Sequence, residues 1–144
     1  MKSLRGLLVV LCLLAADAGL ASPEVIAGTW LSGDGDGLIE IESTGSSITG
    51  RILGSAKDDP GRPDKDLQNP DPKLRDRPLV GLKILGGFTY DGDGKWSGGQ
   101  IYDPNSGNTY RCKLRLIDAN TLKVRGYVGV SLFGQTESWK SQPD

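Results

Sequence analysis

Downstream of an apolar N-terminal stretch, hydrophobic and polar side chains alternate with a period of two rather than 3.6 residues. Ile39 and Ile41 alternate with Glu40 and Glu42, and Ile48, Gly50 and Ile52 share a face opposite Thr49, Arg51 and Leu53. Tyr110, Cys112, Leu114 and Leu116 fall on one side of their segment, with Arg111, Lys113 and Arg115 on the other. Farther on, Leu122, Val124, Gly126 and Val128 oppose Lys123, Arg125 and Tyr127. An antiparallel sheet with one dry and one wet face asks for this pattern. Strands are expected near 27–32, 37–43, 46–54, 80–85, 87–91, 95–103, 108–117, 121–130 and 134–141. Asp36-Gly37 and Asp93-Gly94 supply the positive φ angles of tight hairpins. Asn105-Ser106-Gly107 and Asp118-Ala119-Asn120 separate the later strands. No segment makes an amphipathic helix of three turns. Eight or nine short consecutive strands predict an all-β fold, a single small antiparallel up-and-down barrel or a sandwich.

The N-terminal stretch has a different logic. Lys2 and Arg5 precede the apolar run Gly6–Ala16, and small residues follow around Ala18 and Ala21, the order of a secretory signal peptide. The run is about half the ~20 residues that span a bilayer, so no permanent membrane anchor is expected. Cleavage near Ala21 predicts residues 22–144 as one exported barrel domain, periplasmic or secreted. It removes Lys2, Arg5 and Asp17, taking the net charge from −1 to −2, and leaves Cys112 as the sole thiol, so packing rather than a disulfide must hold the fold.

One segment breaks the strand rhythm. Lys57–Pro78 holds five of the eight prolines and twelve charged residues in 22 positions. Proline removes ladder donors, so the segment reads as a long surface excursion, and its composition favours an ordered flap. A flap of this kind could act as a lid through Asp66, Asn69, Arg75 and Arg77.

The remaining composition excludes more than it assigns. Among the 144 residues there is no histidine, which removes imidazole bases, Ser-His and Cys-His pairs and His-ligated metals; two cysteines are too few for clusters. No cofactor or metal is expected. Asp34-Gly35-Asp36-Gly37 and Asp91-Gly92-Asp93-Gly94 begin like calcium loops but place Ile39 and Trp96 where the loop glycine belongs, so hairpin turns explain them better. Asp66, Asn69 and Asp71 offer oxygen ligands, yet Asx hydrogen bonding that shapes the loop suffices. Arg111 and Arg115 lie on a wet face, while Arg125, between apolar neighbours and beside Gly126, is the better anion contact. Trp30, Trp96, Trp139, Tyr90, Tyr102, Tyr110 and Tyr127 could stack on sugars, although packing accounts for most aromatics in a small β domain. With net charge −2 and no basic stripe, nucleic acid is not an expected partner. Cys112 on a dry face reads as structural.

Several short motifs occur in a fixed order: Gly28-Thr29-Trp30; Asp66-Leu67-Gln68-Asn69-Pro70, then Arg77-Pro78-Leu79-Val80-Gly81; Trp96-Ser97-Gly98-Gly99-Gln100-Ile101-Tyr102-Asp103-Pro104 running to Gly107 and Tyr110; Val124-Arg125-Gly126-Tyr127; and Thr136-Glu137-Ser138-Trp139. Behind a signal peptide, this order resembles the bacterial domain-of-unknown-function family 2147 across about residues 27–141. The resemblance implies a lipocalin-like (calycin) barrel in which Trp30 packs across the closed end beside a basic residue, Arg125 or Lys140. It supplies no activity and no catalytic residues.

The sequence therefore predicts an exported, non-enzymatic barrel binding a small apolar or amphipathic molecule in its mouth, through Tyr102, Asp103, Tyr110, Arg125 and Trp139, with the proline-rich loop as lid. Two rivals stand beside this reading. One is an envelope protein–protein interaction module with a solid core; the weaker is a carbohydrate hydrolase using Asp66, Asp71 or Asp103. Oligomeric state is not legible.

Overall fold

The computed structural model describes residues 22–45, 47–130, 132 and 134–143; the expected signal segment Met1–Ala21 lies outside them. Among the described residues the strands are β1 (Gly28–Leu31), β2 (Gly37–Thr44), β3 (Ser47–Ser55), β4 (Lys83–Gly86), β5 (Thr89–Gly92), β6 (Lys95–Asp103), β7 (Asn108–Asp118), β8 (Thr121–Tyr127) and β9 (Gly134–Gln142). Every pairing is antiparallel, in the order β4-β3-β2-β1-β9-β8-β7-β6-β5, and β4 also pairs with β6. That last pairing closes eight strands into a barrel and leaves β5 as an extra strand folded back on β6. The expected all-β barrel is the fold.

Alternation along the strands becomes an inside and an outside. Trp30, Ile39, Ile41, Ile48, Leu85, Trp96, Cys112, Leu114, Leu116, Leu122, Val124 and Trp139 are buried in one cluster. Burial pushes the Cys112 thiol up to about 12, an inert structural position. Bulges locally reset the alternation. The shift between Trp96 and Gly99 turns Gly99, not Gly98, inward, so the parity read from Trp96 onward fails there. Turn chemistry also moves by a step in the β1–β2 connection: Gly35 adopts φ +76° and Asp34 accepts from the Asp36 amide, whereas Gly37 already belongs to β2. Asp93 (φ +54°) and Gly94 (φ +69°) form the expected tight hairpin.

Antiparallel alternation sorts the connections between two ends. At one end, a 3-10 turn Pro23–Ile26 precedes β1 and inserts Ile26, with no exposed surface, into the core. The Trp30 indole N–H donates to the Ile26 carbonyl at 2.9 Å, fastening this plug. Gly28, between them, takes φ +139°, which L side chains rarely adopt. The basic partner expected beside Trp30 is not there. Arg125 donates to Thr136 Oγ1 (2.8 Å) and Lys140 to Thr121 Oγ1 (2.9 Å), because both residues have outward parity in their strands. At the opposite end lie the β1–β2, β3–β4, β6–β7 and β8–β9 connections.

Two of the three buried indoles, Trp30 and Trp96, differ in one respect that stability measurements can read. Trp96 Nε1 is buried and has no acceptor among the described residues, whereas Trp30 Nε1 bonds Ile26. Trp30→Phe strands a buried carbonyl and Trp96→Phe does not, so the former should cost about 1–2 kcal/mol more in urea denaturation. Equal losses would mean that the plug does not depend on this bond.

Candidate functional site

The proline-rich excursion between β3 and β4 is ordered around one buried carboxylate. Its arms close on each other: Asp66 N donates to Arg77 O (3.0 Å), Leu79 N to Asp64 O (2.9 Å), and Lys65 bridges Pro78. Asp66, completely buried, then accepts from Tyr102 Oη (2.6 Å), Asn69 Nδ2 (2.8 Å) and Arg77 Nε (2.8 Å). Tyr102 projects outward from β6, so these bonds fasten the loop to the outer wall of the barrel. Arg77 also sits over the Tyr102 ring, 5.6 Å from its centroid. Arg75 Nε donates to Asn69 O (2.8 Å), and the Asn69 and Asp71 side chains accept from the Asp71 and Lys73 amides. The oxygen side chains considered as cation ligands are thus engaged in shaping the loop, and among the described residues no group of three or more Asp, Glu or Cys side chains is placed to hold a metal.

Farther along the rim, Arg62 pairs with Asp36, and Lys57 Nζ donates to Asp34 O (3.3 Å), tying the loop to the β1–β2 connection. At its other extreme Gln68 packs on the β6–β7 turn: a Cβ at Gly107 (φ +75°) would lie 1.9 Å from Gln68 O. The loop follows the rim outside β3, β4 and β6. These bonds latch it there.

Between loop and wall lies a cleft of about 580 Å³. Asn69, Pro70 and Arg77 roof it, Ile84, Leu85 and the glycines 86, 87 and 98 form an apolar or bare floor, and Lys83, Gln100, Tyr102 and Thr109 add polar groups. Leu85↔Ile101 and Gly86↔Gln100 are the paired positions that join β4 to β6 beside it. Gly86 has its own part in this. The Lys83 side chain folds across it, with Cε 2.6 Å from where a Cβ would stand, holding the ammonium against the strand.

The other residues expected at a site scatter. Tyr110 points into the mouth half-buried, and Trp139 is 2% exposed in the core with its N–H on Glu137 (3.1 Å). Asp103 shapes the β6–β7 turn, accepting from Asn105 N (2.9 Å) and Ser106 Oγ (2.8 Å). Arg125 has outward parity on β8, bonds the β8–β9 connection at Leu132 O (3.5 Å), and does not line the cleft. Sequence reasoning missed Lys83, Ile84, Gln100 and Thr109, since only the barrel's closure brings them beside Asn69 and Arg77. Tyr102, Asn69 and Arg77, assigned separately to ligand and loop, do converge.

Electrostatics argue against acid–base work by Asp66. Burial pushes its pKa up, but the bonds from Tyr102, Asn69 and Arg77 outweigh burial and hold it below the ordinary 3.8, the wrong direction for a general acid. Burial, then the bond to Asp66, holds the Tyr102 phenol above 10.0. A lowered carboxyl stabilises the fold above its unfolded value and loses that contribution as pH falls through the folded one. A raised phenol stabilises below its unfolded value and loses it as pH rises through the folded one. Asp66→Asn should therefore cost about 1–3 kcal/mol at neutral pH and open the loop to protease. That difference from wild type should shrink below pH 3.8 and above pH 10.0. A difference independent of pH would sink the latch.

Comparison with known proteins agrees with this architecture. The solved structure of protein HP1028 from the human pathogen Helicobacter pylori, described as belonging to the lipocalin family, has a TM-score of 0.70 with this chain at 21% identity, covering 82% of this chain and 83% of that one. At that identity the likeness speaks for the fold: a lipocalin-like barrel. No curated protein matches the chain. A family described as uncharacterized protein conserved in bacteria (DUF2147) matches residues 28–141, from the first residue of β1 into β9. The chain belongs to the DUF2147 family.

Proposed function

We propose that this protein is an exported, non-enzymatic binder that holds a small amphipathic molecule in the cleft between the latched loop and the β4–β6 seam. The carrying observation is the cleft itself. Its volume falls in the ~300–1,000 Å³ range of small-molecule sites, and a few polar groups converge over an apolar floor. Arg77 and Lys83 would meet an acidic or strongly polar head, Ile84 and the bare glycine backbone an apolar body. The lipocalin-like fold supports small-ligand binding as a class, and the N-terminal charged, apolar and small-residue order supports export to the periplasm.

A solid-cored envelope interaction module is the second reading, favoured by the way the barrel is filled. Inward Gly50 lies under Leu85, and Gly99 lies under Phe88, where a Cβ would come within 2.3 Å of the ring. Little of the middle of the barrel is left for a guest.

Native mass spectrometry of protein purified from its own cells separates the two. A retained small molecule is expected, lost in Thr109→Trp, which fills the cleft, and kept in Gln135→Trp at the mouth. Retention lost only in Gln135→Trp would move the site into the barrel, and a wild-type protein carrying nothing would favour the interaction module.

A further inference from the structure

The register that closes the barrel also gathers like charges. Lys95, Arg115 and Lys123 are direct lateral partners on β6, β7 and β8; Lys113 and Arg125 form the next rung, and Arg111 the one after. All have outward parity, opposite the core residues Leu114, Cys112 and Val124. No carboxylate stands at the outward positions from Thr109 to Arg115, Lys123 to Tyr127, or Thr136 to Ser138. The ion pairs Arg62–Asp36, Lys65–Asp76 and Arg77–Asp66 lie away from this wall. Cations placed directly opposite one another weaken a ladder, so the folding of the sheet does not account for them.

This wall has an apolar edge. Where β8 leaves the barrel at the unplugged end, Val128, Val130 and Leu132 are 68%, 59% and 80% exposed. Arg125 Nη2 lies 3.5 Å from Leu132 O, so the apolar tip sits against the basic wall. Grouped aliphatic side chains on a surface mark a place where something docks.

We propose that this wall and its tip bind the surface of a bilayer rich in anionic phospholipid. Lys95, Arg111, Lys113, Arg115 and Lys123 face the headgroups, while Val128, Val130 and Leu132 enter the boundary with the acyl chains. A single-stranded nucleic acid would ask for exposed aromatic platforms among the cations. Here the aromatic side chain within the wall, Tyr127, is 8% exposed and has the Lys113 ammonium 5.8 Å from its ring centroid. Aliphatic tips beside cations suit a lipid interface instead. This surface adjoins the cleft at Arg111, the lateral partner of Gln100, but its other cations and its tip do not line the cleft, and the proposal does not rest on a bound ligand.

Vesicle flotation tests the proposal, using protein purified from its own cells with its N-terminus fixed by mass spectrometry. The processed protein should float with mixed phosphatidylcholine–phosphatidylglycerol vesicles and not with pure phosphatidylcholine. Arg115→Glu combined with Lys123→Glu should weaken binding about tenfold or more, since each cation contributes comparably near an anionic surface. Leu132→Ser should weaken it by a smaller factor that persists in high salt, where the charge contribution is screened. Thermal melts of these exposed-site variants confirm that they fold. Binding to neutral vesicles as strong as to anionic ones would overturn the proposal. So would indifference to charge reversal, or binding to soluble heparin that exceeds vesicle binding and ignores Leu132→Ser; the last outcome would mark a polyanion site.

Discussion

A single carboxylate with no exposed surface joins the two arms of the proline-rich loop to the barrel wall. Burying a charge is costly unless donors surround it. Asp66 has a phenol, an amide and a guanidinium, drawn from the barrel wall, its own turn and the returning arm of the loop. Each donor is thereby positioned by the same acceptor. Prolines at 60, 63, 70, 72 and 78 restrict the chain that Asp66 anchors, so less conformational freedom is lost on ordering it. The cleft depends on this arrangement because its roof, Asn69 and Arg77, consists of two of the Asp66 donors.

Closure of the barrel is the second constraint, and it sets the wall against which the cleft lies. The β4–β6 seam has two paired positions. At the seam the walls come close, and two inward positions are glycine so that Leu85 and Phe88 can cross the interior. Leu85 and Phe88 occupy the space that side chains at those two positions would need.

Local information was enough for most of the strands. Tyr110–Ile117 alternates cleanly and Asp93-Gly94 turns where the dipeptide says it will, but the strand expected over 121–130 ends at Tyr127, which is buried despite its outward parity, and Val128, expected on the dry face, is 68% exposed. What failed locally were the positions where an extra residue shifts the face: Gly98 and Gly99 are interchangeable in composition, and the bulge that distinguishes them depends on pairing with β7. The site was legible only in pieces. Asp66 and Tyr102 lie 36 residues apart, and no spacing rule links a proline-rich loop to the outer face of a strand. Asx chemistry did predict the roles of Asn69 and Asp71, because those bonds reach only two residues along the chain. The pairing of Trp30 with a basic residue, implied by resemblance, gave way to Ile26 because strand parity sends Arg125 and Lys140 outward.

Charge was misread for the same reason. Along the chain, cations alternate with apolar residues, and no run of them accumulates. Pairing across strands sets Lys95, Arg115 and Lys123 side by side, so the stripe runs perpendicular to the direction in which a sequence is read. Acidic residues segregate elsewhere by their own chemistry. Asp34, Asp59, Asp71, Asp103 and Asp118 each accept a backbone amide two residues on, which places them in turns and the loop. Lysine and arginine, with long apolar stems and no such local bond to make, cover the wet face of the sheet. A net charge of −1 therefore sums two populations that occupy different surfaces. At physiological salt, charges beyond about 8 Å are screened, so an approaching surface responds to the wall it meets and not to the total.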